Sequence, residues 1–154
     1  MDRMNKINLT MLMDFYELTM ANGYFQNGLG NKQAYFDMFF RKVPDNGGFA
    51  IMAGVEQLIE YLKSLKFSNE DIEYLRSKNI FSEEFLQYLK NFKFSCDVWA
   101  IPEGTPIFPN EPVVTVRGPV IEAQFVETML LLTINHQSLI ATKSNRIVRA
   151  AQGR

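Results

Sequence analysis

The chain has little cysteine and little histidine, and this scarcity restricts the chemistry that it can carry. Its 154 residues include one cysteine and one histidine. Cys96 alone cannot form an internal disulfide, and together with His136 it offers too few ligands for a structural zinc site. We therefore expect a reduced, cytoplasmic setting.

Long apolar runs and a surplus of one charge are also missing. The longest apolar run, Phe49 to Ala53, has five residues, far short of the ~20 that a membrane helix needs. The first residues show no apolar core of the secretory type, so no leader is expected. Sixteen Lys and Arg against seventeen Asp and Glu leave a net charge of −1. No bulk attraction to nucleic acid or anionic lipid is therefore expected.

The composition that remains is that of a folded chain. Apolar residues make up 47% and aromatic residues 13% of the sequence, which predicts a globular protein with a real core. The length allows one domain, or one domain and the beginning of a second. We find no internal repeat, no P-loop and no dinucleotide-type glycine motif.

The first ninety residues predict one helix, one strand and then three short helices. Apolar residues at helical spacing indicate the helices, glycines end the first of them, and an aromatic-rich segment indicates the strand. Ser68 with Asp71, and Ser82, are expected to cap the last two helices. The expected bounds are a helix from about Thr10 to Gln26 before Gly28 and Gly30, a strand from Gln33 to Arg41, a turn at "DNGG", and helices beginning near Val55, Ser68 and Ser82.

The last sixty residues predict two strands and two helices, which makes the fold class α+β. Every proline except Pro44 falls between residues 102 and 119, and this region separates the strands. Few strands and a helix that is apolar on most sides do not complete a domain, so we expect a fragment of a longer protein. The expected elements are strands near Phe94–Ile101 and Val113–Arg117, and helices over Val120–Asn135 and Ser138–Ala151.

Asp14 and Tyr16 are the first candidates for a binding site. Two residues apart on a helix, they diverge by about 200° and cannot both face one core. If Leu12, Phe15, Leu18 and Thr19 face inward, both flank that stripe. An exposed tyrosine beside a core stripe is common, so the pattern alone favours a structural role.

The other candidates leave two interpretations open. Arg41 closes the aromatic strand before a turn, where a structural role and a ligand role are equally supported. His136 is expected at a junction between helices and Cys96 as a small core residue on a strand, rather than as catalytic groups. A basic stripe at helical spacing, Lys143, Arg146 and Arg149 with Arg154 beyond, suits a solvated helix end or a phosphate-bearing ligand.

Four segments of the chain resemble the N-terminal part of nicotinate phosphoribosyltransferase. Together they run from about Leu9 to Arg154 in consistent order, which is far more specific than a short motif. The segments are "LMDFYELTMANGYF", "FFRKVPDNGGFAIMAGVEQLIEYL", "VWAIPEGTPIFPNEPVVTVRGPVIEAQFVET" and "INHQSLIATKSNRIVRAA".

The resemblance implies the N-terminal α/β domain of a type II phosphoribosyltransferase, residues 1–118, with helices in residues 119–154 leading into a (β/α) barrel that is absent here. The family joins nicotinate to phosphoribosyl pyrophosphate in NAD salvage and couples the step to ATP hydrolysis through a phosphorylated histidine. The resemblance implies ATP and Mg for the full-length enzyme and none bound to this piece, which alone is expected to be inactive. It further implies a homodimer whose subunits share each site.

Three residues match the family's substrate-binding positions. Asp14 and Tyr16 match an Asp-x-Tyr motif whose tyrosine stacks on the pyridine ring, and Arg41 matches an arginine that approaches the phosphoribosyl phosphates. Met13 departs from the threonine that many members have before the aspartate, and His136 does not correspond to the phosphorylated histidine. The alternatives are a non-catalytic binding or assembly module of the same shape, or a relative that uses nicotinamide or quinolinate.

Overall fold

Helices and strands are mixed along the chain, as the α+β prediction requires. The computed structural model describes residues 8–43 and 47–152. In these residues the helices are α1 (Phe15–Gln26), α2 (Val55–Ser64), α3 (Asn69–Ser77), α4 (Glu83–Lys90), α5 (Val120–Gln124) and α6 (Glu127–Ala151). The strands are β1 (Gln33–Met38), β2 (Ala50–Ile51), β3 (Asp97–Ala100), β4 (Pro106–Ile107) and β5 (Val114–Pro119).

The larger sheet is antiparallel, with β5 between β1 and β3. Tyr35 of β1 and Asp97 of β3 both lie opposite Arg117 of β5. Val114 and Val116 are buried and the residues between and after them are not, which is the alternation of a sheet with one covered face. Strands β2 and β4 form a separate antiparallel pair.

Six aromatic rings form the centre of the core. We call them the aromatic cluster, and neighbouring centroids lie 5.3 to 6.4 Å apart, within the range of favourable ring pairs. Helices α1 and α4, the segment between α2 and α3, and the residues that follow α4 and α5 supply the rings. The members are Phe25, Phe67, Phe85, Tyr88, Phe92 and Phe125.

The predicted helix caps are confirmed. Ser68 Oγ accepts from the Asp71 N–H at 3.1 Å while Asp71 Oδ2 accepts from the Ser68 N–H at 2.7 Å, which is a capping box. Ser82 Oγ accepts from the Phe85 N–H at 3.2 Å. These contacts satisfy amides that the first helical turn leaves without partners.

The start of helix α2 is capped by a residue that is distant in the sequence, so the local sequence does not predict this cap. Gly54, its N-cap, has φ 102°, a conformation that favours glycine. Oε1 of Glu103, from the loop between β3 and β4, accepts the N–H groups of Gly54 and Val55 at 2.7 Å each. A carboxylate therefore caps the positive end of α2 from a distant segment.

Helix α6 holds β2 through buried hydroxyl groups. Thr142 Oγ1 accepts the Ile51 N–H at 2.8 Å, and Ser138 Oγ accepts the Ala53 N–H at 3.0 Å. Both side chains are buried. The strand edge thus finds its partners on a helix, because unpaired buried amides are costly.

The predicted boundaries of several elements are wrong. Helix α1 begins at Phe15, not near Thr10, because Asp14 is extended and caps it; β1 ends at Met38, before Arg41. The helices expected over Val120–Asn135 and Ser138–Ala151 are instead divided at residues 125–126, so that α6 continues without interruption through His136. The "DNGG" turn lies partly outside the described residues.

The bounds that the sequence predicts for β3 and β5 also differ from those in the structure. The first is shorter than the expected Phe94–Ile101 and leaves Cys96 just before the strand, whereas the second continues to Pro119. Both pair as neighbours in one sheet. No helix among the described residues is long and apolar enough to span a membrane.

Candidate functional site

The N-terminal ends of α1 and α6 meet in a polar junction. We call it the α1–α6 junction and define it by Asp14, Tyr16, Glu17, Glu127 and Thr128. The Asp14 N–H donates to Thr128 Oγ1 at 3.1 Å and to Glu17 Oε1 at 3.3 Å. Thr128 Oγ1 in turn donates to Glu17 Oε1. One carboxyl oxygen thus joins the two helix starts.

Glu17 is fully buried, which is unusual for a carboxyl group. Burial raises its pKa, an effect that the hydrogen bonds from Thr128 and Asp14 oppose and the charge of Glu127 reinforces. Its second oxygen, Oε2, and the hydroxyl of the buried Tyr61 have no hydrogen-bond partner among the described residues. Burial raises the pKa of Tyr61, and the charge of Glu17 adds to this.

Tyr16 stands at the exposed side of this junction. Its side chain is 41% exposed. The nearby carboxylate of Glu127 raises the pKa of the Tyr16 hydroxyl above its ordinary value, and partial burial adds to the shift. The phenol is therefore a donor at neutral pH, and its ring remains open to contact from outside the chain.

The inward stripe predicted for α1 is confirmed at Leu18 and wrong at its other three positions. Glu17, Leu18 and Ala21 are the buried residues, whereas Leu12, Phe15 and Thr19 are exposed. The buried face is rotated because Glu17 pairs with Thr128, a contact that apolar periodicity cannot reveal. Asp14 and Tyr16 are nevertheless both exposed.

Arg41 lies three residues beyond the end of β1 and is exposed in a bend. Among the hydrogen bonds and ion pairs seen in the described part of the chain, none joins it to Asp14 or Tyr16. Of the sequence-predicted residues, two therefore lie at the start of α1 and the third lies after β1, with no hydrogen bond or ion pair seen between them in the described part of the chain.

His136 and Cys96 differ from their predicted settings. His136 is exposed in the middle of α6 and is not at a helix junction; it lines a groove of about 930 Å³ between α2, α6 and residues 8–12. Cys96 is half-buried, and burial raises the pKa of its thiol to about 12. A thiol that stays protonated at neutral pH is a poor nucleophile, which agrees with a packing role.

The basic stripe on α6 is not uniform. Lys143 and Arg149 are exposed, whereas Arg146 is half-buried and packs over Gly47, where a Cβ atom would overlap its guanidinium. Arg154 lies outside the described residues. Among those described, no group of three or more His, Cys, Asp or Glu residues is arranged to hold a metal ion.

Comparisons with known sequences identify relatives of the chain. A family model described as the nicotinate phosphoribosyltransferase N-terminal domain matches residues 11–135. The chain is 45% identical over 144 residues to nicotinate phosphoribosyltransferase pncB2 of Mycobacterium tuberculosis, covering 94% of this chain and 31% of that protein. It is 41% identical over 140 residues to nicotinate phosphoribosyltransferase of Bacillus subtilis, covering 91% and 29%.

The fold comparison agrees. The crystal structure of human nicotinic acid phosphoribosyltransferase superposes with a TM-score of 0.83 at 34% identity, covering 88% of this chain and 28% of that one. The chain spans about three tenths of the length of these relatives. With a family match over residues 11–135 and with relatives at this identity, the chain belongs to the nicotinate phosphoribosyltransferase family and corresponds to its N-terminal domain.

Proposed function

We propose that this chain is the N-terminal domain of a nicotinate phosphoribosyltransferase. The full-length protein would join nicotinate to phosphoribosyl pyrophosphate, releasing pyrophosphate and forming nicotinate mononucleotide for NAD salvage. The observation that carries the proposal is 45% identity over 94% of the chain to a protein of that name. Because the chain covers only 31% of that relative, the activity is proposed for the whole protein, and these 154 residues alone are not expected to catalyse it.

Asp14 and Tyr16 are proposed to bind nicotinate. An exposed tyrosine ring can stack on a flat pyridine ring with little entropy cost, because the side chain has few torsions to restrain. The Asp14 backbone is fixed by Thr128 and Glu17, which supports a defined position for the start of α1. A ring held in place brings its nitrogen to the sugar carbon in the geometry that displacement needs.

Arg41 is proposed to contact the phosphate groups of the sugar donor. In this reaction the ring nitrogen bonds to the anomeric carbon while the bond to pyrophosphate breaks. Positive charge builds on the sugar and negative charge on the leaving group. An exposed guanidinium beside a strand end can fork to phosphate oxygens. Because Asp14, Tyr16 and Arg41 are all exposed on this domain, we propose a homodimer in which the subunits share each site.

ATP coupling, with Mg, is proposed for the full-length protein only. The described residues contain no group of three or more His, Cys, Asp or Glu placed to hold a metal ion, so the ATP and Mg sites are proposed for the remainder of the full-length protein. A cytoplasmic location is proposed with the salvage function. Residues 1–118 and 119–154 are proposed as the domain and the helices that lead into the barrel.

The proposal is tested by assaying the full-length protein for nicotinate mononucleotide with nicotinate and phosphoribosyl pyrophosphate, with and without ATP. We expect Tyr16→Ala to raise the KM for nicotinate about fivefold, because a stacking contact is worth on the order of 1 kcal/mol. Tyr74→Ala, which removes an exposed tyrosine from α3, is the matched control. An unchanged KM would remove Tyr16 from the site.

Arg41→Ala should instead weaken the use of phosphoribosyl pyrophosphate. The loss is expected in the KM for the sugar donor, about tenfold or more, since a charged hydrogen bond contributes roughly 1.5–3 kcal/mol. Lys42→Ala, an exposed neighbour, is the control. A thermal destabilisation without a change in KM would favour the structural interpretation.

The two alternatives give different results in the same assay. A non-catalytic module would form no product under any condition. A relative specific for another base would show nicotinamide or quinolinate as the preferred substrate in competition with nicotinate. Either result would overturn the proposed function.

A further inference from the structure

Glu17 is a buried titratable group that stability alone does not explain. Its side chain is fully buried at the start of α1, and its Oε2 atom has no hydrogen-bond partner among the described residues. An apolar side chain of similar volume would avoid this cost, because exchanging buried ionisable groups for well-packed apolar ones is often neutral or stabilising. The contacts of the carboxyl group therefore indicate another role.

These contacts join the first turn of α1 to the start of α6. Oε1 of Glu17 accepts the N–H of Asp14 at 3.3 Å and the hydroxyl of Thr128. Oγ1 of Thr128 accepts the same Asp14 N–H at 3.1 Å. Two side chains from different helices thus hold one backbone amide, that of the residue at which α1 is capped.

This arrangement fixes the rotation of the first turn of α1. In α4 the capping hydroxyl of Ser82 accepts an amide only three residues away, which stabilises the helix start without tying it to another helix. Thr128 instead reaches α1 from 114 residues away. Consecutive side chains of a helix are about 100° apart, so any rotation that moved Glu17 out of the interior would turn its neighbour Tyr16 by the same angle.

We propose that Thr128 and Glu17 are positioning residues for nicotinate, which hold the first turn of α1 so that the Tyr16 ring stands ready to stack on the pyridine ring. This inference rests on the proposed function. Both residues act through Tyr16 and not on the reacting atoms. Their loss should therefore raise the KM for nicotinate and leave unchanged the KM for phosphoribosyl pyrophosphate, which Arg41 is proposed to contact.

The first test compares two changes of Thr128 in the full-length protein. Thr128→Val keeps the side-chain volume but removes the hydroxyl, and it should raise the KM for nicotinate about threefold to tenfold with no change in the KM for phosphoribosyl pyrophosphate. Thr128→Ser keeps a hydroxyl and should recover at least half of the loss. An unchanged KM for nicotinate in Thr128→Val, or no recovery in Thr128→Ser, would overturn the inference.

Two controls accompany this test. Thr133→Val makes the same change at a half-exposed position of α6. Ser82→Ala removes the cap of α4 and lowers stability at a site that contacts neither Asp14 nor Tyr16. Neither control should change the KM for nicotinate. An increase in Ser82→Ala as large as in Thr128→Val would show that general destabilisation causes the effect, and it would overturn the inference.

The second test separates position from stability. In Thr128→Val the buried Glu17 loses a partner, and the midpoint of urea unfolding should fall. Adding Glu17→Met should return the midpoint toward the wild-type value, because replacing both partners by apolar groups of similar shape can be nearly neutral. The KM for nicotinate should stay raised in the double variant. A KM that recovers together with the midpoint would overturn the inference.

A third measurement does not require activity. Hydrogen exchange of the peptide that contains the Asp14 amide, followed by mass spectrometry of the full-length protein, should be faster in Thr128→Val than in the wild type. Thr133→Val should leave it unchanged. Unchanged exchange in Thr128→Val would overturn the inference. Faster exchange in Thr128→Val, together with a wild-type protein that forms no nicotinate mononucleotide, would overturn the proposed function alone.

Discussion

The aromatic cluster and the α1–α6 junction both join helices, yet the first is made of aromatic rings and the second of polar groups around the buried Glu17. The cluster consists of six rings, with neighbouring centroids at most 6.4 Å apart. The junction surrounds a fully buried carboxyl group whose Oε2 has no partner among the described residues. One contact consists of ring faces and edges, with the Tyr88 hydroxyl as its one polar side-chain group, and the other leaves a buried polar atom without a hydrogen bond in the described residues.

The difference indicates what each region contributes. Ring burial and ring pairing stabilise the fold directly. Burying a carboxyl group costs free energy unless its hydrogen bonds are complete. We therefore expect the junction to contribute less than the cluster to the free energy of unfolding. What the junction does provide is a fixed relation between two helix starts, with Asp14 and Tyr16 exposed beside them.

The largest expected effect comes from opening the cluster. Phe125→Ala removes a fully buried ring that packs against Phe67 and Phe92, and it should lower the free energy of unfolding by about 3–5 kcal/mol. Urea unfolding of the chain measures this. Phe108→Ala, which truncates an exposed ring, should stay within about 0.5 kcal/mol. Equal losses in both variants would contradict the assignment of the cluster as the core.

A smaller effect is expected from breaking the junction. Thr128→Val keeps the side-chain volume but removes the hydroxyl that accepts from Asp14 and donates to Glu17. We expect a loss of about 1–3 kcal/mol in urea unfolding, because the buried carboxyl group of Glu17 loses its hydrogen bond from Thr128. Thr133→Val applies the same change to a half-exposed site on the same helix and should be nearly neutral. A loss that is no greater in Thr128→Val would show that the junction adds no stability.

The smallest effect concerns the pH dependence of stability. The pKa of Glu17 is raised by burial above its ordinary 4.5, so its contribution to folding is fully present below the unfolded pKa. That contribution is lost as pH rises through the higher folded value. Glu17→Gln cannot ionise, and its stability relative to the wild type should therefore increase between pH 4 and pH 7.

Urea unfolding of the wild type and Glu17→Gln across that range checks the sign. Glu84→Gln, an exposed acidic residue in the first turn of α4, is the control and should show no such trend. A constant difference between Glu17→Gln and the wild type would mean that Glu17 ionises equally well in the folded and unfolded chain.

Local signals in the sequence predicted the parts of the fold that local contacts determine. The caps at Ser68 and Ser82 bond to amides three residues away, so their sequence pattern contains the whole interaction. The end of α1 was predicted for the same reason, since Gly28 has φ 67°. The α+β class followed from these elements and their order.

Features that depend on distant partners were missed or misplaced. Strands β2 and β4 have two residues each and exist through pairing with each other. Helix α6 is uninterrupted where the sequence had indicated a break, and Ser138 and Thr142 beyond that point bond to β2 and the residues just after it. Glu17 was overlooked because a charged residue at a helix start is normally exposed. The exposure of Asp14 and Tyr16 could be predicted, whereas the Glu127 carboxylate beside Tyr16 could not.

Helix α6 has a consequence for how the chain can vary. Its 25 residues make contacts at Thr128 near one end and at Ser138 ten residues later. Inserting a single residue between them would turn one set of hydroxyls by about 100° and shift it by about 1.5 Å relative to the other. Neither β2 nor α1 could follow both sets at once. The number of residues between Thr128 and Ser138 is therefore fixed by the contacts at both positions. Between them we expect the chain to tolerate substitutions but not insertions or deletions.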